Sequence, residues 1–295
     1  MCPDLINQEV CTTKLGDNAV TLNKIQGLTD KRLIGRMAGV NGDAQQVELS
    51  DDFYSDIFNA RIWVNNYDRF RSKIEYFEDC FGASVDGTGA NFLSQNVSGS
   101  GATVSNVTVL EDGIFGVWAL ETGTTSSGRS ALFSGRSATG AAFNLGQGET
   151  KIKTKIKLPT LSTSGERYKV IFGFVGDSTS STVTDGVYFD YNEASSINWR
   201  MCTANDSTRT ETPSAVVVAN NQWIRLEIIV NSVANLVSYV LNGSTIGTVT
   251  TNIPSDIGDA VSPILGIFKS VGSSNRTIQT DYVATSLELT SARST

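Results

Sequence analysis

The feature that most constrains this chain is an alternation of apolar and polar residues that recurs from about residue 81 onward. In WIRLEIIV, alternate positions from Ile224 to Val230 are apolar, and Arg225 and Glu227 stand between them. The segments KIKTKIKL, KVIFGFV, GVYFDY, INWRM, SYVL and YVATSLEL behave similarly. A period of two is the period of a β-strand. About a dozen such strands, spaced by about 8–15 residues, predict an antiparallel sandwich or jelly roll.

Turn chemistry supports the same architecture. Asn242-Gly243 stands between two alternating runs in LVSYVLNGSTIGTVTTNIP, and this dipeptide favours a two-residue hairpin turn. KIKTKIK predicts a strand with a solvated lysine face, and charge there discourages pairing at a sheet edge. We expect no proline inside a strand, since all five stand near the start or in predicted turns: Pro3, Pro159, Pro213, Pro254 and Pro263.

Composition excludes several classes of protein. The formal net charge of -7 leaves no basic stripe for nucleic acid. No apolar run has the ~18 residues that a membrane span needs, and the start, MCPDLINQEV, predicts no signal peptide. The four cysteines, Cys2, Cys11, Cys80 and Cys202, have no CxxC spacing. We therefore expect mostly reduced thiols in a protein made in a cytosol.

The first 50 or so residues and the next 25 differ from the rest. Residues 1–50 are polar and punctuated by glycine, with too little apolar area to fold alone, so they either stay flexible or are ordered by other chains. Residues 53–77 carry bulky side chains at 4-3 spacing in two phases, which predicts a helix of about 25 residues, about 37 Å long. The helix could lie on its own domain. Alternatively, it could form a three-stranded parallel bundle with an interface of Phe53, Ile57, Val64, Tyr67, Phe70, Ile74 and Phe77.

The C-terminal segments resemble a known family. Their order, GVYFDY…INWRM…NNQWIRLEIIV…LVSYVLNGSTIGTVTTNIP…SPILGIFKS…NRTIQTDYVATSLEL, is similar to concanavalin A-like (laminin G-like) jelly-roll domains of bacteriophage virion proteins. Upstream, GDNAVTLNKIQGLTDKRLIGRMAGVNGDAQQVEL resembles the glycine-punctuated segments of phage tail and head fibres. Together, the two resemblances cover most of residues 16–290.

The resemblance implies an elongated homotrimer, anchored to the virion by its N-terminus and displaying jelly-roll heads. The fold class expected is mainly β, an antiparallel jelly-roll sandwich preceded by an extended neck and a short trimeric helical bundle. The parts are a virion-anchoring tail at 1–15, a neck at 16–52, a trimerising helix at 53–80 and a jelly roll at 81–295. Partners would be other copies of the chain, a capsid or tail protein, and a host-surface glycan.

Catalysis finds little support in the sequence. The absence of histidine excludes triads that use it and metal sites that contain it. Retaining glucanases of this fold carry E-x-D-x-E on one strand, and no such run occurs. Asp190 and Glu193 stand at odd spacing, on opposite faces of a strand, and Glu111-Asp112 reads as a turn. We expect these carboxylates to be solvated.

Two binding hypotheses remain. Structural calcium needs only loop oxygens, for which Asp177, Asp185 and Asp281 are candidates, although a role in turns fits them better. No other cofactor is expected. A sugar needs an aromatic platform with polar partners, and the candidates are Tyr188, Tyr191, Asn192, Trp199 and Arg200. The alternative is that Trp199 fills the core.

The sequence therefore predicts a non-enzymatic virion fibre or spike that attaches to a host surface and is assembled in the host cytoplasm. Two alternatives stay open: a capsid or head decoration fibre with no ligand, and a polysaccharide depolymerase.

Overall fold

A computed structural model describes residues 32–35, 45–48, 73–80, 93–108, 111, 113–114, 116–134, 143–256 and 258–290. The chain divides into two compact units, Met1–Asn66 and Tyr67–Thr295. In the first unit, the described backbone forms one antiparallel pair, β1 (Arg32–Gly35) with β2 (Gln45–Glu48), inside the predicted neck. None of the described residues forms a helix that could cross a membrane.

The second unit is built from strands throughout its described part. In chain order they are β3 (Lys73–Glu78), β4 (Ser94–Ser98), β5 (Ala102–Asn106), β6 (Trp118–Thr122), β7 (Arg129–Phe133), β8 (Gly148–Lys157), β9 (Tyr168–Val175), β10 (Gly186–Asn192), β11 (Ser196–Asn205), β12 (Thr208–Val217), β13 (Trp223–Val230), β14 (Val237–Leu241), β15 (Ser244–Val249), β16 (Ser262–Lys269) and β17 (Thr277–Leu289).

These strands form two antiparallel sheets. The seven-stranded sheet has the order β12-β11-β10-β9-β16-β7-β4, and the eight-stranded sheet runs β15-β14-β13-β8-β17-β6-β5, with β3 also paired to β17. The sheets face each other across one large apolar cluster. The predicted mainly β sandwich, consistent with a jelly roll, is confirmed.

Strands β8 and β13 show why the sequence folds this way. Ile152, Thr154 and Ile156 of β8 are buried, and the lysines between them point outward. Ile228 is the register partner of Ile152 in β13, whose apolar positions are buried in the same alternation. The lysine-rich run is therefore a strand with one solvated face, as predicted. It lies in the middle of its sheet, between β13 and β17, rather than at an edge.

The predicted hairpin is also present. Leu241 pairs with Ser244, so Asn242 and Gly243 form a two-residue connection between β14 and β15. Their φ angles are 50° and 85°, which is the combination that a type I′ turn requires. The side-chain Oδ1 of Asn242 also accepts the backbone N–H of Arg225 at 2.9 Å, which ties the turn to the neighbouring strand.

The seven-stranded sheet is buried on both faces in its middle. A second cluster lies on its outer face and includes Ile171, Tyr188, Cys202 and Ile264. Residues 176–185 fold over this face. One contact that joins them to it is the hydrogen bond that Lys169 Nζ donates to the carbonyl of Ser181, at 2.8 Å. Strand β10 is consequently buried at nearly every position, and it presents no solvated side.

The helix prediction needs a correction at its C-terminal end. Residues 53–72 lie outside the described residues, but Lys73–Glu78 forms strand β3, with Phe77 opposite Ala284 of β17. The 4-3 spacing gave a wrong prediction here. Without β3, the backbone N–H and C=O groups along this edge of β17 would lack partners, and β3 supplies them. The β-sheet therefore begins before residue 81. Neither the trimeric bundle nor the other interface residues ahead of Ile74 fall among the described residues.

The proline expectation is wrong at two positions. Pro213 lies within β12 and Pro263 within β16. Strand β12 is the outer edge of its sheet, where a missing N–H is tolerated, and Pro263 is the second residue of its strand. At both positions, proline therefore lies outside the middle of a strand that is hydrogen-bonded on both sides.

Candidate functional site

The five residues predicted to bind sugar are divided between the two faces of β10 and β11. Tyr191 and Trp199 point into the core between the sheets, where they are 2% and 1% exposed. Their ring centroids are 6.1 Å apart. The alternative in which Trp199 fills the core is confirmed, and neither ring can stack on a ligand.

Tyr188 and Arg200 lie on the opposite face, in a closed cluster around Asp190. Oδ2 of Asp190 accepts Nη2 of Arg200 at 2.5 Å and Nζ of Lys169 at 3.1 Å. Nη1 of Arg200 also donates to Oε2 of Glu211 at 2.6 Å. Asp190 has no exposed surface, so the expectation that it is a solvated carboxylate was wrong. Its burial raises its pKa, and the two cations oppose that rise.

This cluster leaves several polar atoms without partners. Tyr188 Oη, Asp190 Oδ1 and Arg200 Nε are buried and make no hydrogen bond. Burial also raises the pKa of the Tyr188 hydroxyl and of the free Cys202 thiol beside it. The remaining predicted residue, Asn192, closes the β10–β11 turn by accepting the N–H of Ala194 at 3.2 Å. The predicted residues therefore do not form a surface site.

An acidic cluster lies in the loops at one end of the sandwich. Carboxylate oxygens of Asp185, Asp206 and Asp259 approach within 4.8 Å of one another. The pKa of Asp259 is raised by desolvation and by the charges of the other two. Asp185 was predicted as a calcium candidate, whereas Asp177 caps a turn at Thr179 and Asp281 lies in β17. The donors are of the type that calcium prefers, and structural calcium stays a prediction.

A groove of about 280 Å³ opens on the outer side of the eight-stranded sheet. It runs beside β17 and is lined by residues of β3, β8, β13 and β17: Glu75, Tyr76, Phe77, Lys151, Lys153, Glu227, Ala284, Thr285 and Ser286. We call it the β17 groove. Every residue in this lining belongs to the second unit.

The strand register explains its shape. Phe77 and Lys153 are the two cross-strand neighbours of Ala284, while Glu75 and Lys151 flank Ser286. Small residues on β17 thus form the floor, and long side chains on the adjacent strands form the walls. The two walls are two strand spacings apart, about 9.6 Å between backbones. The result is a trough about one strand wide.

One wall of the trough is an exposed aromatic ring. Phe77 is 63% exposed, although its ring stacks on Tyr282 with centroids 5.6 Å apart. Lys153 faces it from β8, and no described residue forms an ion pair with its ammonium group. An exposed ring that faces a polar wall across a shallow floor offers both an apolar surface and hydrogen-bonding groups.

Trp223 is another aromatic residue on this sheet, and its partly exposed ring is already in contact with neighbouring side chains. The indole N–H of Trp223 donates to Oε2 of Glu111 at 2.5 Å, and Nζ of Lys157 lies 4.8 Å from the ring centroid. Lys157 also donates to Oε1 of Glu111 at 2.6 Å. The hydrogen bond to Lys157 lowers the pKa of Glu111. This ring is therefore covered by its own neighbours, whereas Phe77, although stacked on Tyr282, stays 63% exposed.

Sequence reasoning missed the β17 groove because its residues are far apart along the chain. Phe77 was assigned to a trimer interface, and Lys153 to a solvated face. The available signal was the pair of small residues, Ala284 and Ser286, at alternate positions of a strand. Its meaning depends on which strands lie beside β17, and the spacing in the sequence does not reveal that.

Comparisons with known proteins bear on the fold. The crystal structure of SO2946, a protein of unknown function from Shewanella oneidensis MR-1, is similar over 84% of this chain and 98% of its own, with 14% identity and a TM-score of 0.59. An endo-1,3-beta-glucanase from Streptomyces sioyaensis gives 13% identity, coverages of 74% and 97%, and a TM-score of 0.47.

A carbohydrate esterase from the Shiga toxin-encoding bacteriophage phi24B gives 11% identity, coverages of 72% and 100%, and a TM-score of 0.45. At 14% identity, the likeness to SO2946 concerns the backbone architecture alone. No curated protein sequence matches this chain. The model of the SO2946-like, C-terminal domain matches residues 113–281. That match spans more than half of the chain, which therefore belongs to the SO2946-like C-terminal domain family.

Proposed function

We propose that this chain is a non-enzymatic virion fibre or spike protein whose sandwich attaches to host-surface glycans through the β17 groove. The observation that carries the proposal is the groove itself, with the exposed ring of Phe77 facing Lys153 across small floor residues. Apolar faces of sugars stack on such rings, and the charged side chains around them supply hydrogen-bond donors and acceptors for hydroxyl groups.

The virion assignment rests on the resemblance of residues 16–290 to phage fibre proteins. Under this proposal, the N-terminal residues hold a capsid or tail protein, and the chain assembles as a homotrimer in the host cytoplasm. Weak single sites then gain avidity because several heads on one particle bind together. A solution mass of about three times 31.6 kDa is expected, and a monomer would contradict the trimer.

Glycan attachment is tested on an oligosaccharide array with the full-length protein. The Phe77→Ala variant should lose at least about tenfold in affinity, which corresponds to about 1.4 kcal/mol. Ile197→Ala is the matched control, because Ile197 is also 63% exposed but does not line the groove. Equal binding by both variants would contradict the assignment of the groove. An intact trimer that binds no saccharide would favour a decoration fibre without a ligand.

A depolymerase is the second candidate, because the carboxylates of Asp190 and Glu211 have oxygens within 4.8 Å of each other. Retaining glycosidases use two carboxyl groups about 5–5.5 Å apart. Asp190, however, is fully buried and bound by Arg200 and Lys169. Release of reducing ends from host polysaccharide, abolished by Glu211→Gln without a change in the urea midpoint of unfolding, would establish the enzyme and overturn the proposal.

A further inference from the structure

We propose that the β17 groove selects uncharged, linear saccharide chains and discriminates against polyanionic ones. This inference rests on the proposed glycan-binding function. It adds the chemical class of the ligand, argued from the charge and shape of the groove.

The charges that line the groove balance. Its two lysines, Lys151 and Lys153, are matched by two glutamates, Glu75 and Glu227. Two ion pairs cross the rim of the groove: Nζ of Lys151 lies 2.5 Å from Oε1 of Glu149, and Oε1 of Glu75 lies 2.7 Å from Nζ of Lys73. The whole chain carries a formal net charge of -7. A polyanion approaching the groove would therefore meet no net positive charge to offset the loss of its hydration and the repulsion of the protein.

Lys153 and Glu227 are cross-strand partners on the same wall. A hydroxyl group both donates and accepts hydrogen bonds, so it can use an ammonium group and a carboxylate side by side. A uronate or sulfate group can use only the ammonium group and is repelled by the carboxylate next to it. The pairing of opposite charges on one wall therefore favours ligands that carry hydroxyl groups alone.

The shape argues for a chain rather than a single sugar. Ala284 and Ser286 are alternate residues of one strand, so the floor runs along β17 between Tyr282 and Glu288, with β3 and β8 as parallel walls. A trough with parallel walls accommodates successive sugar units in a line. A compact or branched ligand would contact only part of it.

The experiment uses the full-length protein with glucose hexasaccharides as probes, together with hexasaccharides of the same linkage in which the sugars are oxidised to uronates. Binding of the neutral chains should change less than twofold when NaCl rises from about 0.1 M to about 1 M, which shortens the Debye length from about 10 Å to about 3 Å. The uronate chains should bind at least tenfold more weakly at the lower salt concentration.

Two variants sharpen the test. Glu227→Lys removes the only glutamate of that wall and should make uronate binding measurable and dependent on salt. Glu193→Lys makes the same change in net charge on the β10–β11 turn, away from the groove, and should leave the selectivity unchanged.

The outcomes separate the two proposals. Tighter binding of uronate chains by the wild-type protein would overturn the selectivity and leave glycan attachment standing. If Glu193→Lys gained uronate binding as strongly as Glu227→Lys, the effect would be one of net charge, and the role of the groove would be refuted. Binding of neither probe by the intact protein, with no saccharide bound on the array, would overturn both proposals.

Discussion

Asp190 is held by two cations on one carboxylate oxygen, and this makes it the residue on which the closed cluster depends. In Asp190→Asn, Lys169 loses its ion pair with the Asp190 carboxylate, and Arg200 keeps only its ion pair with Glu211. Because breaking a buried ion pair strands the remaining charge, we expect a loss of about 3–5 kcal/mol in the free energy of unfolding. Urea denaturation measures this loss.

Glu193 provides the control on the same hairpin. Its ion pair with Arg167 joins side chains that are 27% and 32% exposed, and such pairs contribute about 0–1 kcal/mol. Glu193→Gln should therefore be nearly neutral. Equal effects of the two substitutions would show that the cluster around Asp190 does not stabilise the fold through its charges.

Glu166 gives a prediction about pH. Its carboxylate accepts hydrogen bonds from the hydroxyl and the backbone N–H of Ser274 and from the N–H of Ser273. These bonds, led by that of the Ser274 hydroxyl, lower its pKa. A lowered pKa means that the carboxylate stabilises the fold above the ordinary glutamate pKa of about 4.3, and that this contribution disappears as the pH falls through the lower folded-state value.

The stability difference between wild type and Glu166→Gln should therefore be present at neutral pH and shrink from about pH 4.3 downward. Urea unfolding across this range measures it. A difference that stays constant down to acid pH would mean that the shape of the Glu166 side chain, and not its charge, holds the loop.

Among the elements, the β14–β15 hairpin has the sharpest requirement on its sequence. Gly243 has a φ of 85°, and an added Cβ would meet only the end of Arg225, at 3.4 Å. The cost of Gly243→Ala is therefore the left-handed backbone, about 1–2 kcal/mol. Gly165→Ala is the control, since nothing lies within 4 Å of its added Cβ and its φ is ordinary. Thermal unfolding should separate the two variants.

The hairpin also illustrates what a sequence can predict about elements. Its turn and strands follow from local rules, as do the inward positions of β8 and β13, since period two and Asn-Gly are visible in any short window. The strand β3 does not follow from such rules, because the spacing of its bulky residues suits a helix. Its structure is set by the free edge of β17, about 200 residues later in the sequence.

The cluster around Asp190 and the β17 groove were harder to predict, because each depends on contacts between separate segments of the chain. Burial of Asp190 requires a cover on the outer face of β10, and the segment 176–185 supplies it. The only local signal was the nearly unbroken apolar run GVYFDY, which is typical of a strand buried on both faces. The β17 groove needs four strands, β3, β8, β13 and β17, from separate parts of the chain, so no window of the sequence contains it.

At the scale of the whole molecule, the two sheets should unfold together. They share one core cluster, in which the fully buried Tyr239 of β14 packs on Phe189 of β10 with ring centroids 5.1 Å apart. The Tyr239 hydroxyl donates to the carbonyl of Cys202 in the facing sheet at 2.5 Å. Losing this bond in Tyr239→Phe should cost about 1 kcal/mol.

Tryptophan fluorescence and far-ultraviolet circular dichroism should report one coincident urea transition for the described sandwich. In Tyr239→Phe, both signals should move to the same lower midpoint. Tyr282→Phe is the control, because Tyr282 lies on the outer face and stacks on Phe77. Separate midpoints for the two signals would mean that the sheets are independent folding units.

The edge strand β12 has a consequence for many copies placed side by side. Pro213 removes one backbone donor from this edge, and Arg209 and Glu211 place charges along it. A neighbouring molecule cannot readily extend the sheet by adding its own strand there. Molecules of this protein packed side by side would therefore remain separate and would not join their sheets into one continuous β-sheet.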